Sequence, residues 1–182
     1  MMNKPPSFWA TAPLACLLLA LPLSSPAASI SAGEPAIAGS GCPGGTTSYR
    51  TSANPAAGLI LTIKTPAYRA TPGNVTCNIA IPIHVRSGYR VTQITGVYGG
   101  YAKGKAEMRT SYFVAGSTGA SIRTNLSSTN GKTFSRQDAP ARLQAQCGAD
   151  VNVRVNSRLR TLNDSSSAKM YNMGFYIRYS KC

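Results

Sequence analysis

The sequence predicts an all-β fold: an antiparallel β-sandwich of Greek-key or jelly-roll type, stapled by disulfides and forming a single domain. Three observations point there. Apolar residues recur at every second position over several stretches, the period of half-buried strands. Clusters of Gly, Pro, Asn and Ser separate those stretches, and no stretch carries a long amphipathic helix. The cysteines left after the N-terminal leader are even in number, as in an exported, disulfide-linked domain.

The leader comes first. Lys4 stands in a short polar segment, and Trp9 to Leu23 supply an apolar run broken by Pro13 and Pro22. Small residues follow up to Ala27, so residues 1–27 read as a secretory signal peptide. The run is too short and too interrupted for a membrane span. Cleavage after Ala27 would leave 155 of the 182 residues, a single-domain length. The expected location is secreted: extracellular, or periplasmic in a Gram-negative host.

Residues 28–38, rich in Ala, Ser, Gly and Pro, are expected to form a flexible lead-in, with the domain spanning 39–182. In 75–85, Val75, Cys77, Ile79, Ile81, Ile83 and Val85 alternate with mostly polar neighbours. Val151, Val153, Val155 and Leu159 do so in 151–159, and Tyr171, Met173, Phe175, Ile177 and Tyr179 near the C-terminus. Further strands are expected at 58–64, 89–98, 106–115, 120–126 and 132–136.

Cys42, Cys77, Cys147 and Cys182 imply two disulfides. Three connectivities are open. The sequential pairing would clip each end of the domain onto its body, closing loops worth about 4 kcal/mol each by chain entropy. Without a C-x-x-C pair the same cysteines are a poor zinc site.

The stretch GGYAKGKA, residues 99–106, has the glycine and lysine spacing of a phosphate-binding loop. Ala106 stands where such a loop needs Ser or Thr, and the residues that follow read as a strand rather than a helix. The stretch is therefore expected to connect two antiparallel strands, with Lys103 and Lys105 at its tip.

Catalysis finds little support. His84 is the one histidine, on the polar face of a strand, with no carboxylate near it in sequence. Folding would have to bring Asp150 or Asp138 to it before a cryptic hydrolase could be entertained. No catalytic residue, metal site or cofactor is assigned.

Charge is the stronger signal. Without Lys4 the chain keeps 18 basic against 5 acidic residues. Such a surface suits anionic polymers or cell-surface components. Arg154, Arg158 and Arg160 project from one strand face, with Arg86 and Arg178 outward on their own strands. With Lys103, Lys105 and Arg109 they form the candidate polyanion-binding set. The competing reading is a solvated face that discourages strand-edge aggregation, in a structural or envelope-associated protein with no specific ligand. Tyr98, Tyr101 and Tyr112 stand near these cations and would serve either ligand contact or the core.

In order and spacing, these landmarks resemble the family known as domain of unknown function 4360, small secreted proteins of bacteria and fungi. The resemblance runs from Gly39-Ser-Gly-Cys-Pro43 through Cys77, Ile81-Pro82, Gly88-Tyr89, Gly100-Tyr101, Tyr112-Phe113 and Gly116 to Cys147-Gly148 and Cys182. It implies secretion, an all-β fold and paired cysteines, and no established activity. The family often has Trp-Arg before the last cysteine, where this chain has Arg178-Tyr-Ser-Lys-Cys182, and this chain is the more basic.

Overall fold

The computed structural model describes residues 29–54, 58–126 and 132–182, among which every regular element is a strand. The expected signal peptide lies outside the described residues. Two antiparallel sheets pack face to face. The front sheet holds β1 (Ile30–Ala32), β2 (Ala36–Ala38), β6 (Asn74–Val85), β8 (Ala106–Val114), β9 (Ala120–Asn125) and β12 (Val151–Thr161), in the order β1-β6-β12-β8-β9 with β2 also against β6. The back sheet holds β3 (Ser48–Asn54), β4 (Gly58–Lys64), β5 (Arg69–Ala70), β7 (Tyr89–Lys103), β10 (Thr133–Gln137), β11 (Ala141–Arg142) and β13 (Ser167–Lys181). Its order is β10-β7-β13-β4-β3, with β11 on β7 and β5 on β13.

Alternation places the core. Ile79, Ile81 and Ile83 of β6 and Val153, Val155 and Leu159 of β12 point inward from the front sheet. They meet Leu59, Leu61 and Ile63 of β4 and Met173, Phe175 and Ile177 of β13, all buried. Each strand thus has one dry and one wet side, as its period of two requires.

Both disulfides follow the sequential pairing. Cys42–Cys77 joins the segment after β2 to β6, and Cys147–Cys182 joins the loop before β12 to the chain end. The first explains the Gly-Ser-Gly-Cys-Pro motif. A Cβ on Gly41 would fall 2.2 Å from the buried Tyr68 ring, so only glycine lets the chain reach Cys77 there. The Tyr68 hydroxyl in turn bonds Ser157 Oγ at 2.7 Å, between the sheets.

Two expectations are corrected. Residues 28–38 were read as a flexible lead-in, yet β1 and β2 pair with β6 in register, Ile30 opposite Val85 and Ala36 opposite Ala80. Strands of three residues are too short to show alternation. Secondly, Gly99–Lys103 belong to β7, and only Gly104, at φ +73°, turns the chain. The turn leads from the back sheet to the front sheet, so it is a corner between layers rather than a hairpin within one. A strand on either side leaves no helix to cradle a phosphate.

Candidate functional site: the outer face of the front sheet

The wet side of the front sheet gathers arginines. Arg123 of β9 stands opposite Arg109 of β8, and Arg109 stands opposite Arg158 of β12. Three arginines therefore share one row across three neighbouring strands, a span of about 10 Å. One step along, Glu107 lies opposite Arg160 and Asn125. Its side chain is only 7% exposed; Oε1 meets Arg160 at 2.8 Å and Oε2 meets Arg123. Glu107, Arg109, Arg158 and Arg160 line a shallow hollow of about 90 Å³. Arg154, four residues back on β12, extends the positive strip past Phe113.

Like charges directly opposite on paired strands destabilise a sheet. Here one carboxylate serves a strip of five arginines, and its ion pairs engage Arg123 and Arg160. The guanidinium forks of Arg109 and Arg158 are exposed, and arginine presents its fork to oxyanions in a bidentate manner.

Of the eight predicted cations, the fold brings Arg109, Arg154, Arg158 and Arg160 together. Arg86 follows β6 on the same face but lies at its far end, ten residues and about 33 Å from the row at Thr76. Lys103 and Lys105 flank the interlayer corner. Arg178 belongs to β13, in the back sheet, so alternation placed it outward but on the other side of the molecule. Arg123 and Glu107 were missed. Alternation with Ile122 was a signal for the first, whereas nothing local marks Glu107 as the buried counter-ion.

His84 does meet a carboxylate. Asp150 Oδ2 lies 2.8 Å from its Nδ1, while Asp150 Oδ1 accepts the Val85 N–H at 2.9 Å. These bonds, the Val85 one foremost, hold the Asp150 carboxyl below its usual range. Ser31 stands opposite His84 on β1. Both partners are more than 60% exposed, so the pair ties β12 to β6 at an open sheet end. Among the described residues, no group of three or more His, Cys, Asp or Glu is placed to hold a metal ion. Nor is any helix long and apolar enough to cross a membrane.

Residues 28–174 match the family described as Domain of unknown function (DUF4360). No curated protein matches the chain. Among solved structures, it is similar to TmCBM61, solved in complex with β-1,4-galactotriose, at 7% identity over 80% of this chain and 88% of that one, with a TM-score of 0.41. A CBM4 structure gives 11% identity, 80% and 94% coverage, and a TM-score of 0.35. The mosquito-larvicidal Cry4Aa toxin from Bacillus thuringiensis gives 8%, 79%, 23% and 0.39.

Proposed function

This chain belongs to the DUF4360 family, and we propose that it works outside the cytoplasm as a non-catalytic module binding anionic polymers or cell-surface components. The binding surface is the outer face of the front sheet. One observation carries this reading: Arg123, Arg109 and Arg158 stand in register across three strands, beside Arg160 and a single buried carboxylate. A sheet that needed only solubility would intersperse both signs. A row of three arginines of which the one nearby carboxylate engages only Arg123 suits a ligand that brings repeated negative charge. The signal-peptide reading and the two disulfides support an oxidising, extracytoplasmic setting.

The test is binding to DNA, heparin, lipopolysaccharide and an acidic wall polymer across a salt series. The Arg109→Glu/Arg158→Glu variant should weaken binding at least about tenfold and lower the salt slope by about one per lost contact. Its thermal melt reports whether the fold persists. Unchanged affinity in a folded variant would overturn the assignment. Weak attraction to every polymer, vanishing together at about 0.15 M salt, would leave charge as a bulk surface property.

A further inference from the structure

The Gly99-Gly100-Tyr101 stretch has a second consequence, on the wet side of the back sheet. Along the β7–β13 ladder, Met170 pairs with Gly100 and Asn172 with Gly99, leaving Tyr171 as an extra residue in a bulge. A bulge re-aims the side chain it carries. Tyr171 is 42% exposed, and Lys169 Nζ sits 5.2 Å from its ring centroid. Lys169 stands between Tyr101 on β7 and Arg69 on β5. Together Arg69, Tyr101, Lys169 and Tyr171 frame a hollow of about 340 Å³.

Five residues along β13, the arrangement recurs. Tyr176, 39% exposed, and Arg178 border a second hollow of about 380 Å³ beside Val97. The tyrosines are separated by about 16 Å of strand. Between them one row holds Ser135, Gly99 and Asn172 and the next Val97, Gly174 and Thr62, and towards β3 the rows end in the exposed cations Lys64 and Arg50. A Cβ on Gly174 would meet nothing nearer than the Val97 carbonyl oxygen at 3.8 Å, so the floor is low because the side chain is missing. No strand of this sheet contains Asp or Glu.

We propose that this face is a second binding site, a trough for an acidic polysaccharide carrying uronate carboxylates. It does not rest on the arginine row of the front sheet. Each tyrosine ring offers an apolar plate to the C–H face of a pyranose, and hydroxyls and amides along the floor match its hydroxyl groups. The cation beside each ring pairs with a carboxylate, so charge and stacking are read at both ends. The ring spacing argues against a stacked nucleic acid strand, whose successive bases follow at about 3.4 Å.

Oligogalacturonate is the probe, with its methyl ester as the uncharged control, titrated calorimetrically at about 0.15 M salt. The acid form should bind at least about tenfold more tightly than the ester, and Tyr171→Ala and Gly174→Leu should each lower its affinity about tenfold. Tyr171 is half exposed, so its loss leaves the core intact if Gly174→Leu fails to fold. The Arg109→Glu/Arg158→Glu variant should bind oligogalacturonate as the parent does. Absent binding, equal binding of the ester, or indifference to Tyr171→Ala would overturn the proposal. Binding lost only in the arginine variant would assign the sugar to the front sheet instead.

Discussion

Tyr98 of the back sheet and Tyr112 of the front sheet bond hydroxyl to hydroxyl across the core, over the buried carboxylate of Asp138. Tyr112 donates to Asp138 Oδ2 at 2.6 Å, Tyr98 lies 3.2 Å from the same oxygen, and Thr124 donates to Oδ1 at 2.9 Å. Both rings also meet Phe175 edge-on. The sequence reading left these tyrosines open between ligand contact and core; the fold puts them in the core, as a polar pin between the layers.

That pin predicts an order of stabilities. Tyr112→Phe removes the shorter bond to the carboxylate and should cost about 1–3 kcal/mol. Asp138→Ala takes the acceptor from the hydroxyls of Tyr112 and Thr124, leaving Tyr98 its bond to Tyr112, and should cost more, about 3 kcal/mol or above. Urea denaturation measures both, and a Tyr112→Phe protein as stable as the parent would contradict the network.

Alkali tests the same tyrosines. Burial above all, with Asp138 adding for Tyr98 and Tyr112, pushes the phenols of Tyr68, Tyr98 and Tyr112 far above their usual range. Unfolded, each ionises near pH 10. Their folded values are the raised ones, so the stability they contribute is intact below about pH 10 and falls as pH rises beyond it. The loss is about 1.4 kcal/mol per pH unit for each group. Ultraviolet titration should therefore show three of the nine tyrosines silent until the protein unfolds. Smooth titration of all of them in the folded protein would refute the burial.

The arginine row predicts a conflict between binding and stability. Arg158 faces Arg109 directly, and like-charge pairs of this kind cost a few tenths to about 1 kcal/mol. Arg158→Gln should raise the stability by about 0.5 kcal/mol at low salt, with the gain fading as salt screens the pair. The same variant should bind anionic polymers less well. A stabilised variant with undiminished binding would remove the row from the binding surface.

How legible this was depends on what each strand must do. The long core strands were readable because one face is dry, and β4 was bounded from sequence at 58–64 as observed. β3, Ser-Tyr-Arg-Thr-Ser-Ala-Asn, is exposed along its whole length and so carries no alternation to read. β7 was cut short at Tyr98 because Gly99-Gly100 look like a turn. In the sheet they pass under the β13 bulge, where a Cβ on Gly100 would meet the Lys169 carbonyl oxygen at 2.4 Å. Face was legible but sheet was not, which is why Arg178 was grouped with arginines of the other layer. The burial of Glu107 depends on β9 and β12 both bordering β8, a long-range fact that no local window holds.

The two disulfides differ in access rather than in loop length. Each closes a separation of 35 residues, so the chain-entropy contribution is the same, about 4 kcal/mol. Cys42 and Cys77 are fully buried, Cys42 against the Tyr68 end of the core, whereas Cys147 and Cys182 are exposed. Exchange begins with a thiolate reaching a sulfur in line, which solvent exposure permits and burial blocks. Mild dithiol under native conditions should therefore open Cys147–Cys182 first, and alkylation with mass spectrometry should find label on that pair alone. The chain end would keep the Cys182 N–H bond to the Gly88 carbonyl and the β13 ladder, so the sandwich should survive with a lowered melting temperature. Reduction of Cys42–Cys77 should require unfolding, and its rate should follow the global opening of the domain. Simultaneous labelling of all four cysteines at low reductant would contradict this order.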